Sequence, residues 1–311
     1  MRILDGPRIA KVLDYSELME RIATMFRSGS TAPLRHHHAF GEDAGTLLLM
    51  PAWDSRFVGI KIATVVPGNA VRGIANVQAT YLLLDGATGQ PLAVLEGREL
   101  TLRRTAATSA LASRYLSRPD SARLLLVGAG VLVPHLARAH ALVRPIREIV
   151  IWNRTPARAE ALAGELAAEL AAKGIAVRAT ADLAGAVADA DVVSTATLAT
   201  EPILRGAWLK PGQHLDLVGS FRPHMREADD DTLRRASLYC DTRAGASRES
   251  GDLVGPLERG VIAPADIRGD LFDLAHCSGP ARTGPDEITL FKSVGHAFED
   301  LAAAILACER A

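Results

Sequence analysis

Cysteine is scarce in this 311-residue chain: Cys240, Cys277 and Cys308 are odd in number, far apart and in no CxxC pair. That excludes a disulfide framework and a thiolate metal site. A dominant charge is also missing, because 35 basic and 36 acidic residues leave a formal net charge of -1. Such a balance makes no field for gathering nucleic acid or an anionic membrane, so neither is expected as a partner. Long apolar runs are absent, and nothing approaches the roughly 18 residues of a bilayer span. The first segment, MRILDGPRIAKVLDYSELMERIATMF, interrupts its apolar residues with charges, whereas a secretory leader needs an unbroken apolar stretch. A mature domain start and a cytoplasmic protein are expected. Lysine is rare as well: among 35 basic residues only Lys11, Lys61, Lys173, Lys210 and Lys292 are lysines. Where arginine dominates so strongly, a lysine within an apolar strand raises the question of a need for ammonium chemistry.

What is present is ordinary globular composition, 48% hydrophobic and 23% charged, at a length that favours two domains. Leu18, Ile22, Met25 and Phe26 recur at helical spacing over residues 14–28, and Gly29, Ser30 and Pro33 end that helix. From 46 to 102 short apolar runs alternate with turns, and LLLDGATGQPLAV reads as a hairpin turning at Asp85, Gly86 and Gly89. LTLRRTAATSALASRYL is an alanine-rich helix with a small face at Ala106, Ala110 and Ser113, suited to close packing or to bridging into the next domain. From residue 123 strand and helix patterns alternate as in a parallel α/β sheet, which predicts a Rossmann-type domain to about residue 280. FKSVGHAFEDLAAAILACERA reads as a final amphipathic helix packing back on the N-terminal domain.

The strand RLLLV runs into Gly128, Ala129 and Gly130 and then a helix, the arrangement that offers backbone N–H groups to a pyrophosphate. The third fingerprint position holds Val133, so the match is partial. At the end of the next strand, where an acidic residue would hydrogen-bond a ribose hydroxyl, stand Asn153, Arg154 and Thr155, with Arg158 a turn later. Guanidinium groups there suit a 2′-phosphate, so NADPH is expected, with NADH the second candidate.

Three cations fall in or beside apolar strands or the alanine-rich helix: Arg35, Lys61 and Arg104. A charge in such surroundings needs a partner. An internal salt bridge serves any one of them; a small anionic substrate serves all three if they converge. His36, His37 and His38 alternate faces on a strand and cannot together ligate one ion. Asp229, Asp230 and Asp231 read as an exposed helix start, and His135 and His140 as surface residues.

At these residues the chain resembles the ornithine cyclodeaminase/mu-crystallin family. The matching stretches are KIATVVPGN, LLLDGATGQPLAV, LTLRRTAATSA, VGAG, NRT, ATLATEPIL, LVGSFRPHMREAD, ESGDL and FKSVGHAFEDLAAA. The resemblance implies an α/β protein whose Rossmann dinucleotide-binding domain, residues 114–280, is inserted into an α+β substrate-binding and dimerisation domain, residues 1–113 plus 281–311. It implies a homodimer, with Arg35, Lys61 and Arg104 holding a substrate carboxylate and Lys61 the catalytic group near the reacting nitrogen. It further puts Asn76, Arg104, Val131, Leu132, Thr197, Val218, Gly219 and Ser293 against the cofactor. Two departures discriminate within the family. Its cyclodeaminases carry a glutamine where this chain has Leu132, and an acid/base aspartate where it has Phe221. Phenylalanine can neither pair an ammonium nor transfer a proton, so the resemblance points to the reductases of cyclic imino acids, with Phe221 an apolar wall for the ring. A cyclodeaminase, an alanine dehydrogenase-like enzyme and a non-catalytic NADPH-holding protein are the alternatives.

Overall fold

The computed structural model describes residues 1–41, 45–277, 279 and 281–311. In chain order its elements are β1 (Arg2–Leu4), α1 (Gly6–Val12), α2 (Tyr15–Arg27), β2 (His36–Phe40), β3 (Gly45–Trp53), β4 (Phe57–Val65), β5 (Val77–Asp85), β6 (Pro91–Glu96) and α3 (Gly97–Leu116). There follow β7 (Arg123–Val127), α4 (Val133–Val143), β8 (Glu148–Trp152), α5 (Pro156–Leu170), β9 (Ala176–Ala179), α6 (Leu183–Asp189), β10 (Val192–Thr195) and β11 (His214–Leu217). The rest are α7 (Asp230–Arg235), β12 (Ser237–Cys240), α8 (Arg243–Glu249), α9 (Gly251–Glu258), β13 (Ile267–Asp270), α10 (Leu271–His276), β14 (Thr289–Lys292) and α11 (Ala297–Arg310).

The chain divides into two units, Met1–Thr108 with Gly295–Ala311 and Ser109–Val294. Residues 109–113 and 281–294 thus group with the second unit, unlike the sequence-based boundaries. For residues 281–294 the reason is β14, a strand interior to the second unit's sheet. The residues FKSV, expected at the head of the last helix, are instead the end of β14 and the turn after it.

The first unit contains a six-stranded sheet in the order β1-β6-β5-β4-β3-β2, antiparallel except where β1 pairs with β6. Asp14 caps α2 by accepting from the backbone N–H groups of Ser16 and Glu17. Leu18, Ile22 and Phe26 are buried, and α2 packs with α11, which also covers β3, β4 and β5. The two-residue period of β4 places Gly59, Lys61, Ala63 and Val65 on the buried face under α11, and Ile60 and Ile62 on the opposite one. Gly59 is required there: a Cβ would strike the Tyr81 hydroxyl and Leu301.

The second unit is an eight-stranded parallel sheet, β13-β12-β14-β11-β10-β7-β8-β9. β7, β8 and β9 step one way and β10 and β11 the other, so the strand order reverses between β7 and β10. In open α/β sheets ligands bind outside the carboxyl ends of the strands at such a reversal. Asp229 caps α7 by accepting from the Thr232 N–H, so the acidic run does open a helix, but Asp229 and Asp230 are half-buried there and Asp231 alone of the three is exposed. His135 and His140 are buried, because α4 lies against the sheet, and their expected surface position is corrected. Ser194 Oγ donates to Asp216 Oδ2 at 2.6 Å and His140 Nε2 stands 3.2 Å from the same oxygen. His214 Nδ1 lies 3.0 Å from Thr289 Oγ1 in the same buried polar layer.

Burial lowers the pKa of His214 from 6.5 to about 3, and that of His296 in the first unit to about 4. The unfolded chain gains protons at both from about pH 6.5 downward, whereas the folded protein resists until far lower pH. Stability present above pH 6.5 is therefore lost as the pH falls, by on the order of 2 kcal/mol per histidine at pH 5. Thermal midpoints at pH 7 and pH 5 check this: the midpoint should drop in acid, and His214→Asn should flatten the dependence.

Candidate active site

In the first unit three cations and two carboxylates converge. Lys61 Nζ stands 2.7 Å from Asp300 Oδ2. From α3, Arg104 donates through Nε to Asp300 Oδ1 at 2.9 Å and through Nη1 to Glu299 Oε2 at 2.7 Å. Arg35, at the entry to β2, donates from Nη2 to the Gly295 carbonyl at 2.6 Å. Gly295 has φ +87°, and a Cβ there would lie 2.6 Å from Arg104 Nη1, so only glycine makes this turn into α11. Lys61, Arg104, Glu299 and Asp300 are all buried. The five groups together carry one net positive charge, which favours an anion.

Burial lowers the Lys61 pKa to about 8; Asp300 opposes the shift, while Arg104 and Arg35 add to it. Burial works against the Asp300 carboxylate, yet Arg104 and then Lys61 hold its pKa below the usual value. Burial, with Arg35 beside it, keeps His296 neutral at neutral pH. Tyr81 sits directly opposite Lys61 in the β4–β5 register, and burial and Asp300 raise its pKa well above the ordinary one. A buried ammonium that titrates near pH 8 can hold or release a proton under ordinary conditions.

In the second unit the chain turns at the carboxyl end of β7. Gly128 has φ +124°, and a Cβ would stand 2.7 Å from the Ala196 carbonyl. Gly130 is open, and α4 starts without a side-chain cap at Leu132, its Val133 and His135 N–H groups donating to the Gly130 and Leu132 carbonyls, so an anion would be met by the turn that precedes the helix. Val133 is buried, and Ala129 and Leu132 are half-buried while Val131 is exposed. At the end of β8 Asn153 Nδ2 donates to the Thr155 carbonyl at 3.0 Å, while Arg154 and Arg158 are exposed. Thr197, Val218 and Gly219 follow β10 and β11, and the Ser293 N–H donates to the Leu217 carbonyl at 3.2 Å. These residues fit a dinucleotide: the glycine turn is one a Cβ would fill, the helix start is uncapped, and the β8 end carries no carboxylate.

Arg35, Lys61, Arg104 and the exposed Asn76 belong to the first unit; Phe221, half-buried with the Arg222 guanidinium 6.0 Å from its ring centroid, belongs to the second. Lys61 and Arg104 do make the internal salt bridges considered for each alone, and they make them to the same acid. Sequence reasoning missed Glu299, Asp300, Tyr81 and His296. Two acids opening the otherwise apolar FEDLAAAILA helix were the available signal. Among the described residues no group of three His, Cys, Asp or Glu could hold a metal, and no helix is long and apolar enough to cross a membrane.

A Rossmann-type sheet with a glycine turn at its strand-order reversal, in one chain with a buried lysine–arginine–carboxylate cluster, has the parts of a nicotinamide-dependent oxidoreductase. The model of the ornithine cyclodeaminase/mu-crystallin family matches residues 4–311. A Δ1-pyrroline-2-carboxylate reductase of Paracoccus denitrificans is 40% identical over 84% of this chain and 82% of its own. Ketimine reductase mu-crystallin of Rattus norvegicus is 36% identical over 89% and 84%. The solved structure of Thermococcus litoralis Δ1-pyrroline-2-carboxylate reductase in complex with NADH and L-proline superposes with a TM-score of 0.94 at 33% identity, over 100% of this chain and 97% of that one. The chain belongs to the ornithine cyclodeaminase/mu-crystallin family. Its class is that of the nicotinamide-dependent oxidoreductases acting on C=N bonds.

Proposed function

We propose that the chain reduces a cyclic imino acid, Δ1-pyrroline-2-carboxylate to L-proline or Δ1-piperideine-2-carboxylate to L-pipecolate, with NADPH preferred over NADH. The observation that carries this reading is the buried cluster of Lys61, Arg104, Asp300 and Glu299 with Arg35, net positive by one charge and containing an ammonium of pKa about 8. Arg35 and Arg104 hold the substrate carboxylate by charged hydrogen bonds, their orientation set by Gly295, Glu299 and Asp300. Lys61 assists that carboxylate and supplies the proton that ends on the ring nitrogen, with Asp300 keeping the ammonium in place. The bound cofactor supplies a hydride to the C2 carbon. Gly128, Ala129, Gly130, Val131 and Leu132 hold its pyrophosphate; Asn153, Arg154, Thr155 and Arg158 hold its adenosine end; Asn76, Thr197, Val218, Gly219 and Ser293 complete the site.

Phe221 offers its ring to the substrate methylenes and nothing to a second ammonium. Ornithine brings such an ammonium, whose desolvation would find no pair there. The test is a panel of five- and six-membered cyclic imines, pyruvate with ammonia, and ornithine, each with both cofactors. Imine reduction without ammonia release from ornithine is expected. Ammonia release without imine reduction would overturn the reading, and cofactor retention without any turnover would mark a binding protein.

The cofactor preference rests on Arg154 and Arg158 at a strand end without a carboxylate. Arg154→Ala should raise KM for NADPH about tenfold and leave NADH little changed, as befits one partly solvated phosphate contact of about 1–2 kcal/mol. Equal wild-type efficiency with both cofactors would remove the 2′-phosphate pocket.

A homodimer is inferred from the sheet face of the first unit that faces away from α11. Leu47, Leu49, Ile60, Ile62, Leu82 and Leu84 line it, all partly or fully exposed, with Ile62 at 40%. Charged guards of the kind that keep a sheet face monomeric are missing from this set, and a second copy buries it against its own equal. Light scattering should give twice 33.0 kDa for the wild type and a single 33.0 kDa chain for Ile62→Glu; a monomeric wild type would refute it.

A further inference from the structure

Glu227 is buried in the loop that follows β11, two residues before the acidic run that opens α7. Its Oε1 accepts from the Thr197 N–H and the Thr197 hydroxyl, both at 2.8 Å. Its Oε2 accepts from the Gly219 N–H at 2.7 Å and the Thr195 hydroxyl at 2.8 Å. Its own backbone is held in turn, because the Glu227 N–H donates to Asp252 Oδ1 at 2.7 Å. Lys292, fully buried on β14, donates to the Leu217 carbonyl at 2.9 Å and lies 3.5 Å from Asp252 Oδ2. One carboxylate thus collects four donors from the carboxyl end of β10 and from the loops that leave β10 and β11.

Those ends border the strand-order reversal, where the Gly128 turn packs against the Ala196 carbonyl. A Cβ on Gly219 would strike the Thr197 backbone and the Glu227 carboxylate, so the two loops are in close contact there. Within a sheet, backbone N–H groups pair with the next strand. Beyond the strand ends, where the sheet opens into a crevice, the Thr197 and Gly219 N–H groups have no strand to meet and would be orphaned in a buried place. A carboxylate is costly to bury, and an apolar side chain of similar size would often serve stability as well. Apolar atoms could not hold two backbone N–H groups.

We infer that Glu227 is a positioning residue for the cofactor: it fixes the Thr197 and Gly219 backbones, and with them the rim of the crevice, at the spacing a nicotinamide dinucleotide needs. The inference rests on the reading of this crevice as the cofactor site. Glu227→Gln is the direct probe. Each carboxylate oxygen accepts one backbone N–H, and an amide keeps only one accepting oxygen, so glutamine can serve Thr197 or Gly219 but not both.

The Kd for NADPH, measured by fluorescence quenching without any substrate, is expected to rise about 10- to 100-fold in Glu227→Gln, the scale of a lost charge-assisted hydrogen bond. KM for the imino acid at saturating NADPH should stay within about twofold. Glu227→Asp keeps the charge near Lys292 but withdraws the oxygens, and should weaken NADPH in the same direction. Leu233→Ala opens a cavity in the core of this unit and serves as the comparator for stability alone; NADPH binding should be unchanged in it. Wild-type NADPH affinity in both Glu227 variants would overturn the inference. So would equal weakening by Leu233→Ala at the same loss of thermal midpoint. Failure of the wild type to bind either nicotinamide cofactor would instead overturn the reading of the crevice.

Discussion

Arg104→Leu should raise KM for the imino acid about 10- to 150-fold and at the same time lower the unfolding free energy by about 3–5 kcal/mol. The first figure is the loss of a charged hydrogen-bonded clamp on the substrate carboxylate. The second comes from what is left behind: Arg104 is the hydrogen-bond partner of both Glu299 and Asp300 at 2.7 and 2.9 Å, and all three side chains are buried. Without the guanidinium, two carboxylates remain in the core: Asp300 keeps the Lys61 ammonium, and Glu299 loses the arginine that donates to it. Arg104→Lys should restore part of the stability but little of the binding, because a single ammonium cannot span two carboxylates in a fixed fork. Steady-state kinetics and denaturant unfolding of both variants decide the matter. An unchanged kcat/KM in Arg104→Leu would take Arg104 out of the substrate site, whatever happened to stability.

Lys61→Met should reduce kcat by about 10²- to 10⁴-fold, the range associated with a positioned proton donor. The wild-type profile carries its own signature. With a Lys61 pKa of about 8, the ammonium proposed to donate to the ring nitrogen is present at neutral pH and disappears as the pH rises through that value. Imine reduction should therefore decline above about pH 8, and amine oxidation, which needs the neutral amine, should rise over the same interval. Rates in both directions from about pH 6 to about pH 10 supply the check. A methionine variant that retains wild-type kcat and the same alkaline decline would show that Lys61 only orders the substrate.

The elements of this fold whose patterns are local were legible in the chain. Leu18, Ile22 and Phe26 repeat at helical spacing and form the buried stripe of α2; Asp85 and Gly89 mark the turn between β5 and β6; RLLLVGAG is strand, turn and helix start in eight residues. The alternation of strands and helices from residue 123 announces the parallel sheet. β14 was not legible. It is four residues long, follows a long connection and pairs with β11 and β12, which lie far from it in sequence. Its place inside the sheet is why the second unit runs on to Val294 rather than ending near residue 280.

The site divides in the same way. Lys61 and Arg104 stood out because a charge in an apolar strand or an alanine-rich helix demands a partner. Their partners did not stand out: Glu299 and Asp300 open α11, where acids are favoured by the helix dipole and ordinarily face water. Glu227 and His140 were hidden likewise, one in an irregular loop and one on a helix whose histidines read as surface residues. By itself the sequence determined which residues must be strand, helix or turn, and which charges needed an answer, since period, turn chemistry and desolvation are all local properties. Only the tertiary structure decided which groups answer them, because the packing of α11 over β4 and of the residue-227 loop under β10 and β11 brings together side chains tens to hundreds of residues apart, and no local pattern carries that pairing.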